Sequence, residues 1–379
     1  DRRLEVRVLS SLGALHREQG RMTEARELLE RAYGFASEAG DRRIEGLVRT
    51  SLGLLHREQG RIDAAREHFE AALAIAREMG NRREEGIVLG SLGLLCTEQS
   101  LVEQARQHLE TALGIAREMG DRGLEGVVLA NLGQLESDQG LRHESMKHLA
   151  AALAIHREVG SRRLEAIALG NLGSLHNEQG RKDQAREHFA AALAIAREVG
   201  NRRHQGFLHL CLGTLHQDQG RSDEAGADYA ASLVVAREVG DRLGECMALS
   251  RLGVLHVEGE RLNEACLAYE QVLALARERG YRRLEGLALA GLADLQLRQG
   301  RVGEATEMLR LGEALLRELS DREVLAPLLC IRGRVEVAVG ERARAGATLA
   351  EAEAMATALG ATPDTDLGRG LAALRAALA

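Results

Sequence analysis

The chain lacks tryptophan altogether and has only four tyrosines and four phenylalanines among 379 residues. It holds two prolines, and its 50 basic residues include just two lysines, Lys147 and Lys182. So few prolines speak against a loop-rich β architecture. Scarce aromatics, the absence of a Lys/Arg run and a formal net charge of −7 argue against nucleic acid as a partner. Such a partner needs a basic footprint for its phosphates and often rings for its bases. No stretch approaches about 18 uncharged apolar residues, so no membrane-spanning helix is expected. Residues Asp1 to Arg7 are charged and offer no signal-peptide core. The five cysteines, Cys96, Cys211, Cys246, Cys266 and Cys330, form no CxxC and are odd in number. No disulfide framework is expected, and a reducing cytoplasm is the expected location. What is abundant is 45% hydrophobic and 28% charged residues, enough to build a folded core.

Self-similarity decides the architecture. Cut every forty residues from Asp1, the chain gives nine units without insertion: 1–40, 41–80, 81–120, 121–160, 161–200, 201–240, 241–280, 281–320 and 321–360, with a tail at 361–379. The units that begin at Asp41 and Ser161 agree at 26 of 40 places, too many for chance. Each unit reads as two helices. Asp1, Asp41, Asn81, Asp121, Ser161, Asn201, Asp241 and Asp321 are expected N-caps of the first helix, with Tyr281 the exception. Thr23, Asp63, Asp183, Asp223 and Asn263 are expected to cap the second. Glycines such as Gly20, Gly40, Gly60 and Gly80 punctuate both ends, suited to left-handed helix termination. Between them, Val48, Leu52 and Leu55, then Ala65, Phe69 and Ala72, recur at helical spacing. The expectation is all-α, antiparallel pairs stacked on one another.

Leu52-Gly53, His56, Gly60, Ala65, Phe69 and Ala72 have the spacing of the tetratricopeptide repeat, with His where that motif usually has Tyr. Leu172-Gly173, His176, Gly180, Ala185, Phe189 and Ala192 repeat it. The chain therefore resembles a tetratricopeptide repeat (TPR) array in a forty-residue form, similar to Pins-type G-protein-signalling scaffolds and to arrays on bacterial regulators. The resemblance implies a right-handed α-α superhelix of nine helix-pair repeats, with the tail as a C-terminal capping helix. In the ninth unit Pro327 lies inside the first helix and Arg332 replaces a core Leu, as a terminal cap allows. Leu4 and Val8 expect an upstream neighbour, which suggests a preceding domain or self-association through an uncapped N-terminal face.

Candidate chemistry is thin. Five histidines share one column (His16, His56, His176, His216, His256) and His68, His108, His148 and His188 another. Successive units lie roughly 8–10 Å apart, whereas two ligands of one zinc sit at ~2.1 Å from it, so packing is the expectation and no metal or cofactor is assigned. There is no phosphate loop, GxGxxG, GxSxG or HExxH, and no catalytic residue is expected. The acidic column Glu18, Glu58, Glu98, Asp138, Glu178, Asp218 and Glu258 reads as a solvated ladder paired with nearby arginines such as Arg21 or Arg61.

What remains is a surface. Places 8, 12, 15 and 19 of each first helix are nearly constant, whereas places 7, 10, 11, 14, 17 and 18 vary. The resemblance puts the variable face on the concave wall. The candidate partner-binding residues there are Arg17, Thr50, Ser51, Leu54, Arg57, Ser91, Leu94, Asn131, Gln134, Asn171, Ser174, Asn177 and Gln217. Family members can use Asn at the place of Asn131 and Asn171 to bond an extended peptide backbone, an amide being both donor and acceptor. The expected function is non-catalytic: a scaffold that binds a peptide or protein in its groove, as part of a larger regulatory protein. A ligand-sensing arm controlling an effector domain and a self-stacking architectural module are the alternatives.

Overall fold

The structure is a computed structural model and describes residues 2–18, 21–362 and 365–379. Asp1, Gly20 and the side chain of Glu18, all given roles by the repeat frame, lie outside the described residues. The helices are α1 (Arg2–Glu18), α2 (Met22–Glu38), α3 (Arg42–Glu58), α4 (Ile62–Glu78), α5 (Arg82–Glu98), α6 (Val102–Met119), α7 (Arg122–Asp138), α8 (Arg142–Glu158), α9 (Arg162–Glu178) and α10 (Lys182–Glu198). They continue with α11 (Arg202–Asp218), α12 (Ser222–Glu238), α13 (Arg242–Glu258), α14 (Leu262–Arg279), α15 (Arg282–Arg298), α16 (Val302–Glu318), α17 (Arg322–Ala338), α18 (Arg342–Ala358) and α19 (Asp366–Leu378). No strand occurs among the described residues. The chain divides into two compact units, Asp1–Leu215 with Val234–Asp241, and His216–Leu233 with Arg242–Ala379.

Local chemistry sets the helix ends. Asp41 accepts the Ile44 N–H at 3.2 Å, Asn81 that of Glu84 at 3.2 Å and Asp121 that of Leu124 at 3.0 Å, each satisfying an orphan first-turn donor. Asp321 does the same for Val324 at 3.1 Å. Ser161 forms no such bond. The expected caps of the second helices are displaced: α4 and α10 start after Arg61 and Arg181, which make no side-chain cap bond. Asp63 and Asp183 fall inside the first turn, where their charge suits the positive end of the helix dipole. The expected position is two places late because the preceding glycine, left-handed at Gly60 (φ 72) and Gly180 (φ 72), leaves one linking residue rather than three.

In the first unit, α1 and α2, α3 and α4, α5 and α6, α7 and α8, and α9 and α10 pair, and each pair packs on the next. Val48, Leu52 and Leu55 of α3 are at most 2% exposed, and so are Ala65, Phe69 and Ala72 of α4. A salt-bridge joint recurs at several turns between pairs. Glu85, buried at the start of α5, accepts from Arg77 of α4 at 2.9 Å and from Arg82 at 2.6 Å, while Arg82 also reaches Glu118 of α6. Arg157 and Arg162 hold Glu165 in the same way. Burial alone would raise the Glu85 pKa, but the two guanidinium hydrogen bonds outweigh it and hold it below the usual carboxylate range. Helix α1 departs from the packing: Leu4, Val8, Leu12 and Leu15 occupy places covered in later pairs, yet they are 40–60% exposed.

In the second unit, α13 pairs with α14, α15 with α16 and α17 with α18. Helix α19 lies on α17 and α18 and buries Leu367, Leu371 and Leu374. Leu374 fills the space over Gly333 that a partner helix takes elsewhere: a Cβ there would stand 2.6 Å from Leu374 Cδ2. The tail thus covers the last pair.

Candidate partner-binding face

The variable face is built from the first helix of each pair, and in the first unit its places can be read in columns. Place 11 carries Ser51, Ser91, Asn131 and Asn171, all half-buried. Their chemistry separates at once. Ser51 and Ser91 donate to the carbonyls of Leu47 and Ile87 one turn back, at 3.1 and 3.0 Å, so their hydroxyls serve their own helices. Among the described residues, no hydrogen bond occupies the amides of Asn131 and Asn171. Place 14 adds Leu54, Leu94, Gln134 and Ser174, also half-buried, with Gln134 donating to Asp138 at 2.7 Å. At place 17 stand Arg17, Arg57 and Asn177, and the Asn177 Oδ1 is buried without a partner.

Two of the expected residues are placed differently. Thr50 is only 6% exposed; its hydroxyl shares its one proton between Gly46 O at 3.0 Å and Glu84 of α5 at 2.8 Å. Place 10 points at the neighbouring pair and is a packing position, so Thr50 is not part of an open face. Gln217 falls in the second unit, where it donates to Glu258 and accepts from Tyr229.

The columns also show a feature absent from the expected residues. Place 7 is apolar in every pair from the second to the seventh: Leu47, Ile87, Val127, Ile167 and Phe207 in the first unit, Met247 in the second. Leu47 is 44% exposed and Phe207 41%. An apolar stripe therefore runs beside the polar amide column. Its signal in the sequence is place 7 taken as a column of its own.

A family model described as tetratricopeptide repeat matches residues 4–78, 47–118, 124–198 and 206–278, and a second of that description matches 286–310. The chain belongs to the tetratricopeptide repeat family.

Within this TPR protein members of the acidic column pair across repeats, while Asp138 accepts from Gln134 of its own helix. Glu58 accepts from Arg17 of the preceding pair at 2.7 Å, and Glu98 from Arg57 at 3.4 Å; Arg21 and Arg61 are not their partners. Place 17 of one repeat thus meets place 18 of the next. Burial pushes the carboxyls of Glu98, Asp138 and Glu178 up from their ordinary range.

The two histidine columns pair with each other, a contact that comparison within either column hides. His56 and His68 stack with ring centroids 5.2 Å apart, and His176 and His188 lie at 5.0 Å. Each such pair joins the two helices of one repeat. His188 Nδ1 bonds Gln184 O at 2.8 Å. Among the described residues, no three His, Cys, Asp or Glu gather into a group able to hold a metal.

Solved structures share the fold. A Rap protein complexed with competence and sporulation factor is 15% identical, with a TM-score of 0.61 over 99% of this chain and 98% of that one. The apo quorum sensor NprR from B. thuringiensis is 15% identical, with a TM-score of 0.62 over 89% of this chain and 97% of its own. A Pyrococcus horikoshii signal-transduction ATPase with numerous domains, which carries a TPR sensor, is 16% identical with a TM-score of 0.57. The match covers 79% of this chain but spans only 46% of that protein. No curated protein matches the sequence. No described helix is long and apolar enough to cross a membrane.

Proposed function

We propose that this TPR array is a non-catalytic recognition module that binds an extended peptide or protein segment along the variable face of its first unit. The observation that carries the reading is the juxtaposition of an apolar stripe (Leu47, Ile87, Val127, Ile167, Phe207) with the two unoccupied amides of Asn131 and Asn171. An amide left free beside apolar side chains suits a main chain whose own side chains seek apolar contact. A Rap protein complexed with a factor and a quorum sensor share the fold. Their likeness supports a regulatory setting, in which this array serves a larger protein.

The test is capture from lysate by the intact chain and by Asn131→Ala/Asn171→Ala/Phe207→Ser, with amide exchange on any complex. Partners retained by the parent and lost by the folded variant, with protection confined to α3, α5, α7, α9 and α11, support groove recognition. Equal capture by both proteins sinks it. Protection across the whole array would instead favour the sensor-arm reading. The exposed face of α1 favours a second role, self-association, which would raise the solution mass with concentration and be abolished by Val8→Asp/Leu15→Asp.

A further inference from the structure

Arginine at place 3 of a repeat has a routine task. Arg83 bonds the cap of the next first helix, Asp121, at 2.8 Å, and Arg283 bonds Asp321 at 2.7 Å; their side chains remain 61% and 57% exposed. Arg203 bonds the equivalent Asp241 at 3.3 Å, but its Nη1 also donates to Glu58 Oε2 at 3.3 Å, 145 positions away, and its exposure falls to 32%. Glu58 is likewise covered, 18% exposed against 43% for Glu98 one repeat on. Within the first unit, then, the last turn of α3 and the first turn of α11 meet through one carboxylate. Glu58 divides its oxygens between Arg17, at 2.7 Å on Oε1, and Arg203.

Three further facts bear on what this contact does. Arg17 and Arg57 each keep a buried Nε–H without an acceptor, so donors outnumber acceptors at this end of the face. The three guanidinium groups and the amides of Asn131 and Asn171 belong to the same unit. Exchanging one carboxylate for another keeps the guanidinium hydrogen bonds made, so a second carboxylate can replace the first at small cost, and a forked carboxylate–guanidinium bond is a strong competitor.

We propose that Glu58 is the internal occupant of a carboxylate-binding subsite formed by Arg17 and Arg203, and that its bridge to Arg203 is a latch opened by a carboxylate of the bound peptide. This rests on the peptide reading above and specifies the chemistry of one end of that peptide. In the free protein Glu58 accepts from both arginines and ties the second pair to α11. A ligand carboxylate takes its place and frees α3 from α11, so that occupancy changes the connection between distant repeats.

The experiment uses the full chain and labelled short synthetic peptide pools read by fluorescence anisotropy. One pool is amidated with a fixed central Glu, one is identical but for Gln, and one has a free C-terminal carboxylate and no acidic side chain. The carboxylate-bearing pools bind more tightly than the Gln pool. Removing the internal competitor with Glu58→Gln tightens them roughly threefold or more, the order expected for one ion pair, and Arg203→Gln weakens them by at least as much. Whichever of the two carboxylate pools responds identifies a side-chain or a terminal carboxylate as the source. If all pools bind alike and neither substitution matters, peptide recognition stands and the subsite is wrong. If no pool binds, the peptide reading fails and the subsite with it. Circular dichroism checks that both variants are folded, and Arg203→Gln reports even if Glu58→Gln is not.

Discussion

A Cβ placed on Gly173 of α9 would stand 2.6 Å from Cε1 of Phe189 in α10, and the same distance separates Gly53 from Phe69. The Phe189 ring is 1% exposed and has nowhere to retreat. Gly inside a helix gives up about 1 kcal/mol of propensity against Ala, so packing against the ring is what retains it. Gly173→Ala is expected to lose about 1–2 kcal/mol net, because overpacking a filled core costs about 1–3 kcal/mol and outweighs the propensity gain. Urea unfolding followed by circular dichroism measures this. In a Phe189→Ala background the same substitution should be neutral or stabilising. A gain in stability in the parent would show that the helices are not in contact there.

The joints between repeats should be sensitive to acid. Burial pushes the carboxyls of Glu45, Glu85 and Glu165 upward, but their arginine hydrogen bonds bring each below its ordinary value. A carboxyl depressed in the folded state contributes stability that is present above its unfolded pKa, about 4.3, and is lost as pH falls through the lower folded value. Denaturant midpoints should therefore drop below about pH 4, and less so in Glu85→Gln/Glu165→Gln. At neutral pH each single substitution should cost about 1–3 kcal/mol, the range for a hydrogen bond to a charged group. The milder end is expected, because Gln205 already fills this place by accepting from Arg202 at 2.7 Å and donating to Ala196 O at 2.9 Å. An acid profile unchanged by the double substitution would remove the joints from the stability of the array.

The histidine pairs give a second pH window with its own sign. Burial, with the neighbouring ring second for His68 and His176, lowers the pKa of His56, His68 and His176. A depressed histidine binds its proton more readily in the unfolded chain, so its contribution is complete above about 6.5 and declines as pH falls below that. Unfolding midpoints measured from about pH 7 down to about pH 5 should fall. His56→Gln/His68→Gln should flatten part of that slope, whereas the exposed pair Arg186–Asp183 has no bearing on it. A slope that survives replacement of both histidine pairs would locate the titrating groups elsewhere.

Most of this fold is legible in the repeat frame. Forty-residue periodicity places each helix, because left-handed glycine and apolar spacing agree through most of the frame, although the caps of the second helices sit two places earlier than the Asp residues suggest. Periodicity is silent on what depends on distance between columns. Thr50 reads as part of an open face because helical spacing cannot tell which side the next pair covers. The His56–His68 stack escapes a comparison of each residue with its own column, since the contact joins two helices of one repeat. The Glu58–Arg203 bridge lies beyond periodicity altogether, because it depends on how four successive pairs curve within the first unit. By contrast, the apolar column from Leu47 to Phe207 is present in the sequence and needs only place 7 to be followed from unit to unit.

The junction of the eighth and ninth pairs offers the sharpest stability test, because two departures there compensate each other. Arg332 stands where the eight preceding units have Leu, and Glu313 of α16 stands where units two to seven have Leu. Arg332 donates to Glu313 at 2.5 Å and to Thr348 at 2.7 Å, and the Thr348 hydroxyl donates to Glu336 at 2.7 Å. A charge-for-leucine exchange at one site alone would strand its partner; the two together form a bonded cluster beside a cavity of about 630 Å³. Arg332→Leu is therefore expected to destabilise the array by about 2–4 kcal/mol, since it leaves Glu313 partly buried with fewer cationic partners. Arg317, which also bonds Glu313 at 2.9 Å, keeps the cost toward the lower figure. Arg332→Leu/Glu313→Leu restores the pattern of the earlier repeats and should recover most of that loss, as apolar replacements of buried ion pairs commonly do. A double-mutant cycle in urea gives the coupling between the two sites. Additive losses would mean that each residue serves separate neighbours, and the view of a concerted exchange at this interface would fall.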